Sequence, residues 1–84
     1  MYKVIVSKTA SKELADLPTK VVNHIIPAIK RLEDDPRPSG CKKLKGGQEA
    51  WRIRIGDYRV IYTIDDVIHV VDVRSVGHRK DIYD

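Results

Sequence analysis

Residues 51–62 read WRIRIGDYRVIY, and the register of this stretch organises the rest of the chain. Two alternating runs flank Gly56-Asp57, a dipeptide with the chemistry of a two-residue hairpin turn. With that turn Ile55 faces Tyr58, and Arg54 faces Arg59. Arg52 lies two residues before Arg54 and shares its face, because side chains alternate along a strand. Like charges directly opposite each other on a sheet face are destabilising. Three guanidinium groups on one face therefore suggest that an anion belongs there. The plainer alternative is a solvated face whose arginines pair with carboxylates.

Working outward, a second turn at Asp65-Asp66 predicts a further strand over 67–75. One face then carries Trp51, Ile53, Ile55, Tyr58, Val60, Tyr62, Ile64, Val67, His69, Val71 and Val73, which reads as a core face with His69 opposite Tyr62. The other face carries Arg52, Arg54, Arg59, Ile61, Thr63, Ile68, Val70, Asp72 and Arg74. In this register Asp72 falls opposite Arg59, where it relieves part of the Arg54–Arg59 repulsion.

Upstream, the β-branched alternation of Tyr2–Ser7 predicts a strand. Ser7 or Thr9 can cap a short helix running to about Leu17, with Leu14 and Leu17 facing the core. Pro18 opens a second helix. Its stripe is Val21, Val22, Ile25, Ile26, Ile29 and Leu32. Pro27 lies inside that stripe, where proline costs about 3 kcal/mol and kinks a helix. Asp34–Gly40 is a loop with two prolines and a glycine. Lys42–Lys45 reads as a short strand, and the closing GHRKDIYD as an irregular tail. The fold class is α+β: two N-terminal helices packed on one face of a small, mainly antiparallel sheet of four to five strands, in the order β-α-α-β-β-β-β. The pattern does not give the strand order. One domain spans residues 1–84.

The chain has 84 residues and a formal net charge of +4, which favours a polyanion or an acidic protein segment as partner. The charge is uneven. Between Arg37 and Arg59 lie seven Lys or Arg and two acids, a local excess of +5 that exceeds the whole-chain value. A single cysteine, Cys41, excludes an intrachain disulfide. No apolar run has the length of a membrane span, and the N-terminus lacks a signal-peptide layout. The expectation is a cytoplasmic protein with no membrane association.

Guanidinium presents donors in a fixed fork that suits phosphate, so Arg52, Arg54 and Arg59 lead the candidates. An acidic peptide suits the same face, and one face can bind both in turn. The tail adds His78, Arg79, Lys80 and Tyr83 at the end of a strand, where a rigid sheet supports reactive side chains. Tyr83 can stack on a base or pack into the core. His24 and His69 read as structural. No HExxH, CxxC, Walker A or GxGxxG pattern occurs, so no metal or nucleotide cofactor is expected.

With these residues in hand, the chain resembles the RelE-type toxins of the RelE/ParE toxin–antitoxin superfamily. The resemblance covers essentially the whole chain. It is carried by YKVIVSKTASKELADLP, KKLKGG, WRIRIGDYRVIY and VGHRKDIY. It implies an mRNA interferase that cuts messenger RNA in the ribosomal A site: the ribose 2′-hydroxyl attacks the adjacent phosphate without a metal, leaving a cyclic phosphate. The implied partners are a cognate RelB-like antitoxin and the ribosome with its mRNA, the toxin being a monomer or part of a toxin–antitoxin hetero-oligomer. The positions matching the family's site are Arg52, Arg54, Arg59, Arg79 and Tyr83. Lys42, Lys43, Lys45, Arg74 and Lys80 are the expected RNA contacts. In the best-known branch the two third-strand residues are lysines, one of them taken as general base. Here they are Arg52 and Arg54, and arginine does not give up its proton. Histidine ionises nearest to neutral pH of the common side chains, which makes His78 the proton-transfer candidate. Lys45, Lys80 and Tyr83 come after it, or cleavage runs on electrostatics alone. The resemblance leaves two other readings: a ParE-like poison of DNA gyrase, and a non-toxic binding module.

Overall fold

The computed structural model describes residues 1–46 and 49–78. The elements in chain order are β1 (Lys3–Val6), α1 (Lys8–Ala15), α2 (Thr19–Arg31), β2 (Lys42–Lys43), β3 (Ala50–Ile55), β4 (Tyr58–Asp65) and β5 (Val70–His78). The strands form one sheet in the order β1-β5-β4-β3-β2. Among the described residues, only the β1–β5 pairing is parallel. The α+β class, the two helices and the mainly antiparallel sheet are as the sequence predicts.

Local chemistry starts and stops the helices. Ser7 caps α1, its Oγ accepting the Ala10 N–H at 3.1 Å. Pro18 stands at the N-cap of α2 and its carbonyl accepts from the N–H groups of Val21 and Val22. The helix runs on through Pro27, which is exposed. On that side water can replace the backbone bond that proline removes. Ile25, Ile29 and Leu32 are buried, whereas Ile26 stands 44% exposed at the edge of the stripe. The predicted six-residue stripe is thus narrower than its spacing implies.

Both helices cover one sheet face. Ala10, Ile25, Ile29 and Leu32 pack with Ile53, Val60, Tyr62, Val71, Val73 and Val76. Full burial of a Val, Ile or Leu side chain contributes about 1.5–3 kcal/mol. Tyr62 is fully buried and donates its hydroxyl to the Pro36 carbonyl at 2.7 Å. That bond ties the α2–β2 loop to the sheet, and burial pushes the phenol's pKa well above its ordinary value.

The β3–β4 register is the predicted one: Ile55 faces Tyr58, and Arg54 faces Arg59. The β4–β5 register is not. The Asp65 carboxylate accepts the N–H groups of Val67 and Ile68 at 2.9 and 3.1 Å, forming a local Asx-type turn. His69 follows at φ 56. These bonds hold residues 66–69 in a loop, and Asp65 pairs with Val70. Five readings change with this register. The strand covers 70–78, not 67–75. Val67 is 91% exposed. His69 leaves the core and lies against the Tyr2 ring at 4.9 Å. Asp72 faces Thr63, while Arg59 faces Gly77. Gly77 and His78, predicted to begin an irregular tail, close β5.

Candidate functional site

The arginines sit on the sheet face turned away from the helices. Two rows cross it from strand to strand. One runs Lys42, Arg52, Ile61, Ser75 over β2, β3, β4 and β5; the next runs Arg54, Arg59, Gly77 over β3, β4 and β5. Gly77 contributes no side chain to its row. Arg54 is exposed, Arg59 half-buried and Arg52 only 6% exposed. The Nε atoms of Arg52 and Arg59 are both shielded from solvent. A charge held this far from water is costly unless it is well engaged. The guanidinium stems of Arg52 and Arg59 are therefore anchored in the sheet, whereas Arg54 stands out from it.

Lys42 extends the arginine face because it is Arg52's partner. Lys43 does not: it pairs with Trp51 and lies over that ring at 5.9 Å on the helix side. Lys45 follows β2 and is exposed. Arg74 lies two strands from the β3 arginines and is ion-paired to Asp72 at 2.9 Å. His78 pairs with Tyr58, its ring edge-on to the tyrosine at 5.3 Å. Tyr58 packs against the core, so the register sets His78 on the face opposite the arginines. Arg79, Lys80 and Tyr83 lie outside the described residues.

Arg37, also basic, belongs to a different assembly. It forks onto Asp66 at 2.8 and 3.2 Å and lies over Trp51 at 5.0 Å. Tyr2 donates its hydroxyl to the same carboxylate at 2.6 Å. The Arg37 fork, then the tyrosine bond, lower the Asp66 pKa to about 2. The same contact with Asp66 raises the Tyr2 and Arg37 values. This cluster fastens the β4–β5 loop to the N-terminus and to the loop before β2. It takes Arg37 out of the basic surface.

Beside the arginines a groove of about 540 Å³ runs between α2 and β3, lined among others by His24, Arg31, Arg52 and Arg54. His24, expected to be a structural residue of the helix, opens onto it. Sequence reasoning also missed Glu13, whose carboxylate reaches β5 at Ser75 and Val76. No local signal could reveal it, because its partners lie far along the chain. Among the described residues, no group of three or more His, Cys, Asp or Glu could hold a metal ion. No helix among them is long and apolar enough to cross a membrane.

A rigid sheet presenting clustered guanidinium groups can hold an anion and stabilise negative charge, but arginine cannot accept a proton. The fold is one shared with toxins of type II toxin–antitoxin systems. Residues 4–83 match the family of the ParE toxin of the type II system parDE. Toxin RelE3 of Methanocaldococcus jannaschii is 33% identical to this chain, over 98% of the chain and 96% of that protein. Toxin RelE of Mycobacterium tuberculosis is 33% identical over 98% of the chain and 86% of its own length. Among solved structures, the archaeal RelE–RelB complex from Pyrococcus horikoshii contains a chain that superposes with a TM-score of 0.82 at 29% identity, covering 96% of this chain and 98% of that one. The intact E. coli RelBE toxin–antitoxin complex gives 0.80 at 28% identity, with 93% and 96% covered. The chain belongs to the ParE toxin family and is a RelE-type toxin of the RelE/ParE superfamily.

Proposed function

We propose that this toxin is a ribosome-dependent mRNA endonuclease. The observation that carries the reading is the set Arg52, Arg54 and Arg59, fixed by the β3–β4 register on one sheet face. In the proposed reaction a ribose 2′-oxygen attacks the adjacent phosphorus, the P–O5′ bond breaks, and the products are a 2′,3′-cyclic phosphate and a 5′-hydroxyl end. Arg52, Arg54 and Arg59 hold the scissile phosphate and stabilise the added charge of the pentacoordinate transition state. Arg79 adds to that stabilisation, and Tyr83 stacks on or orients a base. Lys42 and Lys45 contact RNA from the edge of the same surface, with Lys43, Arg74 and Lys80 as peripheral phosphate contacts.

The proton step is separate. The arginines cannot perform it, and His78 is the titratable candidate at the end of β5. Its ring lies on the Tyr58 side, across the sheet from the arginines, so the reading assigns the catalysis to charge and positioning and gives His78 no direct contact with the scissile phosphate. The site of action is the cytoplasm, where translating ribosomes are. The proposed partner is a RelB-like antitoxin: an acidic segment that folds on the arginine face and the neighbouring groove neutralises the charge the reaction needs. RelE relatives solved in complexes with RelB support this partner.

The ParE description of the matching family favours a second reading, a gyrase poison that acts by protein contact. Primer extension on a translated message, with and without ribosomes, separates the two. Ribosome-dependent cuts in register with codons, ending in cyclic phosphate, support the endonuclease. Intact message together with DNA breaks and filamentation supports the gyrase poison.

A further inference from the structure

β5 carries one residue more than β4 at a β-bulge. Ile61 faces Ser75 but Tyr62 faces Val73, so Arg74 is the extra residue. A bulge interrupts the ladder, and the polar groups it frees need other partners. Helix α1 supplies them. Ser7, the cap of α1, donates its Oγ to the Arg74 carbonyl at 3.1 Å and its N–H to the Val73 carbonyl at 2.9 Å. Two turns later, Glu13 Oε1 accepts the Val76 N–H and the Ser75 hydroxyl, each at 3.0 Å. Its Oε2 lies 3.3 Å from the same hydroxyl.

The bulge sets the phase of everything after it. A shift of one residue moves a strand's side chains to the opposite face. Val71 and Val73 point into the core before the bulge, and Val76 does so after it. Without the extra residue, Gly77 would turn inward and Val76 and His78 would turn toward the arginines. With it, Gly77 stands beside Arg59 and His78 stands on Tyr58.

We propose that Glu13 is a positioning residue for the arginine face: by holding the Ser75–Val76 step it fixes the bulge and keeps Gly77, not a branched or aromatic side chain, next to Arg59. The proposal rests on the reading of that face as the RNA-cleaving site. Geometry, not charge, is the operative property of the carboxylate. One oxygen takes both donors, and a glutamine carbonyl at that position can do the same. Aspartate keeps the charge but is one methylene short.

The test compares Glu13→Gln, Glu13→Asp and Glu13→Ala in the full-length chain. The first measurement is of cross-strand NMR contacts between Tyr58 and His78 and between Arg59 and Gly77. The second is single-turnover cleavage on programmed ribosomes at saturation, with thermal melts as a control for folding. Glu13→Gln is expected to keep both contacts and cleave within a few-fold of wild type. Glu13→Asp should lose the contacts and about a hundredfold in rate, the cost of a misplaced catalytic surface, while remaining folded. Glu13→Ala, where it folds, should match Glu13→Asp. Contacts and rate preserved in Glu13→Asp overturn the proposal, as does a loss in Glu13→Gln that Glu13→Asp does not share, which would make charge the operative property. A rate loss with the contacts intact also overturns it. If wild type itself cuts no message, the cleavage reading falls, and the NMR contacts alone decide whether Glu13 holds the bulge.

Discussion

Strand β4 belongs to two hairpins that are held by different means. The β3–β4 hairpin closes through Gly56-Asp57, with Gly56 at φ 61. A glycine at positive φ in the first turn position matches the twist of the flanking strands, so two residues fix the register and with it the Arg54–Arg59 pairing. The β4–β5 hairpin has no such turn. Its loop is held by Asp65 and by His69 at positive φ, and its strand is re-phased by a bulge anchored on α1. The arginine cluster is therefore built locally. What stands next to it on β5 is decided by contacts distant in sequence.

This difference orders the expected mutational effects. The largest belongs to the locally built face. Arg59→Ala should reduce single-turnover cleavage on programmed ribosomes by about a hundred- to a thousandfold, the usual cost of removing one donor to transition-state charge. His78→Ala, on the opposite face, should cost clearly less in the same assay. If the two effects were reversed, proton transfer rather than charge would dominate. Next comes the turn itself. Gly56→Val puts a β-branched residue at φ 61, and nothing lies within 4 Å of an added Cβ. The penalty is thus backbone strain, about 1–2 kcal/mol. It should appear in urea unfolding as a lower midpoint with an unchanged slope. A neutral substitution would mean that strand pairing, not the turn, sets the register.

The same contrast explains what was legible in the sequence. Gly56-Asp57 announced its turn, so the face shared by Arg52, Arg54 and Arg59 could be read directly. Ser7 and Pro18 likewise announced the helix starts. In the second hairpin VIHVVDVR alternates as a strand does, while the bonds that keep residues 66–69 out of the ladder belong to the Asp65 side chain. The displaced register moved cross-strand partners without exchanging faces, so Val71 and Val73 still reached the core while Asp72 missed Arg59. The bulge at Arg74, the parallel pairing of β1 with β5 and the Asp66 clamp on Arg37 depend on contacts between distant segments. No local pattern carries them.

A smaller effect concerns the Asp66 clamp. The folded-state pKa of Asp66 is held down to about 2 by Arg37 and then by Tyr2, below the ordinary carboxylate value of about 3.9. Its contribution is therefore fully present above pH 4 and fades as the pH falls toward 2. Asp66→Asn should lower the melting temperature slightly at neutral pH, and the gap from wild type should close between pH 4 and pH 2. A gap that stays constant across that range would detach the stability from Asp66 ionisation.

The arginine face is the proposed phosphate site, and the salt dependence of RNA binding tests this most directly. For a single strand, the slope of log affinity against log salt is about −0.7 for each phosphate neutralised. Binding of the full-length chain to a single-stranded RNA should weaken steeply with salt. Arg54→Ala should flatten the slope by about 0.7, one phosphate's share. A slope identical to that of wild type would remove Arg54 from the phosphate site and contradict the account.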